Sequence, residues 1–237
     1  VLPSFVKIHA TDSTNDELKL RFRESVIPNL TTLYAHHQRA GRGQMGAVWQ
    51  SQAGKNLTFS TLLRDVPVDK QGFEQVKFIS VCLARWLRQE HQIQTHVKWP
   101  NDIVSVHHKL AGILVENVHA ADGTVHAIHG IGLNVNQLDF EALPRAISLQ
   151  SITGKEYHLE ELLFSFVAYL HHQLVHHHAV VAMYESLLYK KDQLAQYKIE
   201  GRQIHGILRG VDDQGRMLLE VDGQVTAYET KQIKMIY

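Results

Sequence analysis

Apolar and polar positions alternate from Ser4 to Ala10, with Val6 and Ile8 set against Phe5, Lys7 and His9; a period of two predicts a short strand. Thr11 to Asn15 supplies turn and cap residues. Thr14 and Glu17 have capping-box spacing, which predicts a helix from about Asn15 to Glu24. Thr31 to His36 and Asn56 to Leu63 read as further strands. Between them, Gln38 to Gly46 carries three glycines and is poorly suited to regular structure. Val76, Ile79, Leu83, Trp86 and Leu87 share one helical face, so Phe73 to Glu90 is expected to be an amphipathic helix. Thr95 to Asn134 reads as strands broken at Pro100-Asn101, His107-His108 and Asp122-Gly123. Leu159 to Gln196 is helical in composition, as two helices meeting near His177, and Ile199 to Tyr237 returns to short strands. The order predicts an α+β fold, a mixed β-sheet with helices over residues 1–197. A small β-barrel-like domain over 198–237 would depend on docking to it for stability.

Composition narrows the function classes. The 237 residues include 44% hydrophobic and 20% charged positions, enough for a sizeable core. Basic and acidic residues balance at 24 each, so bulk charge does not point to a nucleic-acid binder. The single cysteine, Cys82, excludes a disulfide framework and a thiolate-rich zinc site, and it favours a reducing compartment. No apolar run is long enough to span a bilayer and no signal peptide is evident; the expectation is a soluble cytoplasmic protein that uses neither membrane nor DNA. Histidine is frequent at 17, and His172 and His176 have the i, i+4 spacing of a helical metal pair, but no third ligand is indicated nearby and a solvated helix face is the expected reading.

Several segments carry candidate chemistry. Gly41-Arg42-Gly43-Gln44-Met45-Gly46 has glycines that let backbone amides approach an anion and an arginine suited to carboxylate or phosphate, though it is neither a Walker loop nor a dinucleotide fingerprint. In Lys98-Trp99-Pro100-Asn101-Asp102 a strand-end lysine is followed by a turn with Asn and Asp. That set is able to hold phosphates through Lys98 and magnesium through Asp102, or simply to make the turn. Lys109 to Glu116 alternates as a strand, with Gly112 marking a close approach and Lys109 read alone as a solvated edge residue. Gly130-Ile131-Gly132-Leu133-Asn134 places two glycines in a strand, for ligand room or for a bulge.

Taken in order, Asp12-Ser13-Thr14-Asn15, Gln38 to Gly43, Lys98 to Asp102, Lys109 to Glu116 and Gly130 to Asn134 closely resemble the biotin–protein ligase family, from about Phe5 to Asn136. The resemblance implies a class II synthetase-like catalytic domain ending in an SH3-like barrel. It implies ATP and Mg2+ as cofactors, biotin as substrate, and a biotin carboxyl carrier protein domain as partner. Ser13, Thr14, Asn15, Gln38, Gly41 and Gly112 would hold biotin, with Arg42 and Lys109 beside its carboxylate and the α-phosphate. Lys98 would aid the phosphates. Asn101 and Asp102 would face the nucleotide and its magnesium, and Trp49 and Asn134 would surround the adenine. Arg42, Lys98 and Lys109 are then the catalytic candidates.

The sequence departs from that family in the loop, where Gln44 and Ala47 stand in place of arginines. It begins about ten residues before Ser13, so the family's N-terminal DNA-binding domain is not expected in this sequence. An exposed sheet edge is compatible with a homodimer. Two alternatives carry forward: a lipoate– or octanoate–protein ligase of related fold, and a non-catalytic biotin-binding module.

Overall fold

Ser13 opens the first helix: its side-chain oxygen accepts from the Asp16 backbone N–H, as an N-cap should. The computed structural model describes residues 2–64, 67, 72–141 and 143–236. In chain order these form β1 (Ser4–Thr11), α1 (Thr14–Glu24), β2 (Thr31–Gln38), β3 (Gly41–Arg42), β4 (Val48–Trp49), β5 (Leu57–Leu63) and α2 (Phe73–His91). Then come β6 (His96–Lys98), β7 (Asp102–Ser105), β8 (His108–His119), β9 (Val125–Leu133), α3 (Leu149–Thr153), α4 (Leu159–Gln173) and α5 (His177–Ala182). The tail is β10 (Leu194–Ile199), β11 (Arg202–Val211), β12 (Met217–Val221), β13 (Gln224–Tyr228) and β14 (Ile233–Ile236).

A seven-stranded mixed sheet runs β1-β2-β5-β9-β8-β7-β6, with β1 parallel to β2 and the other pairs antiparallel. Its edges are therefore β1 and β6. The strand period of two divides its side chains between two cores. Tyr34, Phe59, Leu63, Ile113 and Ile131 join the large core with α2 and α4. Leu33, Leu62, Val118 and Ile128, from the same strands, pack with Leu18 of α1 on the opposite face. Helix α2 buries Phe78, Ile79, Leu83, Trp86 and Leu87, each contributing about 1.5–3 kcal/mol. The Trp86 indole N–H donates to Ser165 Oγ at 3.1 Å, fixing α2 against α4. Among the described residues no helix is long and apolar enough to cross a membrane.

The tail forms a five-stranded antiparallel sheet in the order β13-β12-β11-β10-β14, with a bulge at Leu208/Gly210, which fits an SH3-like module. Its first strand begins at Leu194, so the expected boundary at 197/198 falls inside β10. Helical composition over Leu159–Gln196 overstates the helix: α4 passes through a 3-10 turn at Leu174–His176 into the short α5, and another 3-10 turn precedes β10. The two sheets touch the same segment, because the Trp99 indole N–H donates to the Gly215 carbonyl at 3.0 Å.

Candidate functional site

The face of the large sheet that carries α1 is cut away toward β8 and β9, and a cavity of about 820 Å3 opens there. Glycines make the space. A Cβ on Gly130 would collide with the Asn15 carboxamide, and one on Gly132 with the Trp49 indole. Strand β9 pairs without interruption along both β5 and β8, so these glycines mark close approach and not a bulge. The room they leave is filled by the protein's own side chains, Asn15 and Trp49, which then face the cavity.

One end of the cavity is neutral and hydrogen-bonding. Gln38 Oε1 accepts from the Thr14 backbone N–H at 2.9 Å and from its hydroxyl at 3.2 Å. Asn15 Nδ2 donates to Glu116 Oε2 at 2.8 Å, while Ser60 Oγ lies 2.5 Å from Asn15 Oδ1. These contacts hold Ser13, Thr14, Asn15 and Gln38 in one polar wall. Gly41 is not in that wall. It lies behind it, where a Cβ would strike Gln38 Nε2 and the Trp49 carbonyl, so its role is to let the Gly-rich loop pass. That loop is more regular than its composition suggested: β3 and β4 form a two-strand ribbon around a 3-10 turn, and Met45 takes φ 58°.

The other end is charged. Lys109 Nζ lies 2.7 Å from Asp102 Oδ1, and Lys98 Nζ lies 3.8 Å from Asp102 Oδ2. Burial lowers the Lys98 pKa; Asp102 opposes this, and the nearby charges of Lys109, Lys234 and Arg145 add to it. The Asn101 carboxamide donates to the Ile113 carbonyl at 2.5 Å, which fixes the turn that carries Asp102. Lys109 is no edge residue, because it pairs with Val104 of β7 on one side and bridges to Ala146 on the other. Arg42 also lines the cavity, but its guanidinium is engaged by Asp16 Oδ1 at 2.5 Å and Glu116 Oε2 at 3.2 Å. Burial pushes Glu116 up, yet hydrogen bonds from Lys19 and Asn15 and the charges of Lys19 and Arg42 bring it below the usual carboxylate value.

A second cavity of about 320 Å3 shares Trp49 and Lys109 with the first and adds Asn134, Leu143, Pro144 and Arg145. Asn134 is buried there, with its Nδ2 donating to the Ile147 carbonyl at 3.1 Å; its amide hydrogens thus serve the backbone. Gly112 lies under both Trp49 and Lys109, where a Cβ would come within 3.1 Å of the indole.

The cavity also has a wall that sequence reasoning did not find. Lys198, Lys234 and Met235 of the tail sheet, with Glu200 and Lys231 from its turns, line it together with Lys98 and Asp102. The lysines were visible in the sequence, but alternation in short strands does not reveal which face turns toward another sheet. Asp16 and Lys19 were likewise passed over, since their partners Arg42 and Glu116 lie far along the chain.

The chain is similar to known proteins over most of its length. Residues 8–136 match the model of the biotin/lipoate A/B protein ligase family. The chain is 31% identical over 223 residues to the bifunctional ligase/repressor BirA of Bacillus spizizenii, covering 90% of this chain and 67% of that protein. It is 30% identical to the biotin–[acetyl-CoA-carboxylase] ligase of Mycobacterium tuberculosis, with 90% and 82% covered. It thus spans about two thirds of the length of bifunctional relatives, 63% for BirA of Bacillus subtilis. A biotin protein ligase from Aquifex aeolicus, solved in complex with biotin and ATP, superposes with a TM-score of 0.79 at 25% identity over 99% of both chains. The match over more than half of the sequence, together with the shared fold, means that this chain belongs to the biotin/lipoate A/B protein ligase family.

Proposed function

We propose that the chain is a biotin–protein ligase, which activates biotin with ATP and passes it to a lysine of a carboxylase's biotin carboxyl carrier domain. The observation that carries this reading is that Arg42, Lys98 and Lys109, from three separate segments, line one cavity with Ser13, Thr14, Asn15 and Gln38. Relatives named as biotin–[acetyl-CoA-carboxylase] ligases, and a structural neighbour solved with biotin and ATP, support the same choice of substrates.

The chemistry follows from the cavity's two ends. A ureido ring offers one carbonyl and two N–H groups, which the polar wall of Ser13, Thr14, Asn15 and Gln38 is suited to satisfy. The ring's apolar parts would rest on Leu114. The acid's carboxylate would then point toward Lys109. In the first step a carboxylate oxygen attacks the α-phosphorus of ATP and the bond to pyrophosphate breaks, giving biotinyl-5′-adenylate. Both reactants are anionic, and Lys98, Lys109 and Arg42 offset their repulsion and the charge that builds in the transition state. In the second step the carrier lysine's amine attacks the acyl carbon, and AMP leaves with the bonding electrons. Trp49 and Asn134 would bound the adenine in the adjoining cavity.

Magnesium fits at one position. Mg2+ takes one or two carboxylates together with phosphate oxygens and water, and Asp102 is the carboxylate that stands among the phosphate-facing lysines. When bound, the ion would neutralise phosphate charge, and Lys109 would exchange its contact with Asp102 for one with the substrate.

The test is mass spectrometry of a carrier domain incubated with this protein, biotin and Mg-ATP. The expected result is a single biotinyl addition on lysine. Pyrophosphate exchange into ATP that depends on lipoate and not on biotin would overturn the choice of acid. Biotin binding without any exchange would mark a non-catalytic module.

A further inference from the structure

The i, i+4 pair His172 and His176 is not where the histidine-rich segment gathers ligands. Their rings are 5.9 Å apart and tilted by 50°, and the helix is interrupted between them by a 3-10 turn. One residue further on the geometry changes. Glu74, from the first turn of α2, and His177 and His178, which begin α5, bring one carboxylate oxygen and two imidazole nitrogens within 4.8 Å of one another. From the structure we propose a divalent transition-metal site, with zinc the best match, formed by Glu74, His177 Nδ1 and His178 Nδ1, on the face of the sheet opposite the reaction cavity.

Three observations carry it beyond a chance meeting of polar side chains. First, His177 is only 7% exposed, and its Nδ1 has no hydrogen-bond partner among the described residues although it faces Glu74 Oε1 at 3.7 Å. A buried polar atom without a partner is costly, and a metal ion would satisfy it. Second, the ring is held in place: it stacks on Phe78 at 4.5 Å, and the Gln75 carboxamide lies 3.0 Å from its other nitrogen. A partner on the second ring nitrogen is how ligating histidines are oriented. Gln75 Oε1 also lacks a partner among the described residues. Turning that carboxamide would let Oε1 accept the Nε2 proton and leave the Nδ1 lone pair for the metal, at the expense of the bond from Gln75 Nε2 to the Pro67 carbonyl. Third, the remaining ligands can close the geometry. His178 Nδ1 is 4.0 Å from Glu74 Oε1 and its side chain is 87% exposed, so it can move. Donors about 2.0–2.1 Å from zinc sit about 3.4 Å apart in a tetrahedron, close to the separations already present.

Two imidazoles with one carboxylate suit zinc, nickel or copper and are a poor set for magnesium. The bound ion would have an open fourth position and would clip the first turn of α2 to α5. Helix α2 has no side-chain cap: Gly72 is its N-cap residue. The clip would therefore stabilise an end that the sequence leaves uncapped.

The experiment is isothermal titration of zinc chloride into the full chain, freed of any histidine tag, at pH 7.5 and in a His172→Ala/His176→Ala background. We expect one equivalent bound and a rise in Tm. Glu74→Gln and His178→Ala, each conservative or exposed, should each weaken binding by about tenfold or more and remove the rise in Tm, while biotin adenylation with Mg-ATP stays unchanged. Cobalt(II) in place of zinc should give the visible absorption of a low-coordinate site, lost in the same variants. Unchanged zinc affinity in both variants, or no zinc binding in the parent, would overturn the site.

Discussion

Lys109 Nζ and Asp102 Oδ1 lie 2.7 Å apart, and the same carboxylate faces the largely buried Lys98 from its other oxygen. Two cations are thus held together by one anion at the end of the cavity assigned to the phosphates. In Asp102→Asn the lysines lose that compensation while Lys109 still lowers the Lys98 pKa. If protonated Lys98 is needed for adenylation, the alkaline limb of the pH–rate profile should move to lower pH. The check is kcat/KM for ATP in pyrophosphate exchange from pH 6 to 10; an unshifted limb would separate Lys98 from the reaction.

Lys109→Ala removes the cation closest to Asp102. By the usual cost of deleting one electrostatic stabiliser, adenylation should fall by roughly 10²–10³-fold, with little change in Tm because the side chain is partly exposed. Rapid-quench measurement of biotinyl-adenylate formation reads this directly.

In the Gly-rich loop, Gln44 provides a neutral donor where the family resemblance implies an arginine. A neutral donor grips an anion less strongly than a charged one. Gln44→Arg should therefore slow the escape of free biotinyl-adenylate. Equal release rates for the two proteins, measured after removing excess biotin, would dismiss the idea.

The glycines of β9 give a stability test with a functional reading. Alanine in a strand normally gains about 0.5–1 kcal/mol over glycine. Here Gly130→Ala would drive Asn15 from its place and Gly132→Ala would displace Trp49. Each should instead cost about 1–3 kcal/mol as overpacking does. The KM effects should separate, with Gly130→Ala raising that for biotin and Gly132→Ala that for ATP.

His129 is fully buried on the α2 side of β9, and burial pushes its imidazole down to about 3. The unfolded chain binds a proton there near pH 6.5 and the folded one does not. Stability from this group is therefore complete above about pH 6.5 and is lost as pH falls toward 3, at about 1.4 kcal/mol per unit. His129→Gln should flatten the slope of stability against pH between 6.5 and 4 in urea titrations.

Much of the fold was legible because the main sheet and α2 have strong periodicity. Val76, Ile79, Leu83, Trp86 and Leu87 mark a face that is buried as the spacing requires. The strand expected at Ser4 to Ala10 forms as β1, and the helix expected from Asn15 starts one residue earlier at Thr14. The candidate site was legible mainly through the family resemblance: read alone, Ser13 to Asn15 were turn and cap residues and Lys109 a solvated edge residue, and only their order with Gln38 and Lys98 to Asp102 pointed to one site. What failed was long-range. Nothing local says that Asp16 meets Arg42, that Lys234 influences Lys98, or that Glu74 lies beside His177. The end of the helical stretch was misjudged because Tyr184 to Leu188 has helical composition but breaks into a 3-10 turn before β10, where packing of the buried Tyr184 and Leu187 prevails over propensity.

The indole bond from Trp99 to Gly215 joins a turn in the first half of the chain to a loop near its far end. During synthesis, the segments bearing Ser13, Arg42, Lys98 and Lys109 emerge from the ribosome long before residues 230–235, which close the last side of the pocket. On the function proposed above, a nascent chain carries Lys98 and Lys109 before it can enclose an activated acid. Competence to hold one waits for β14 to be made and to dock.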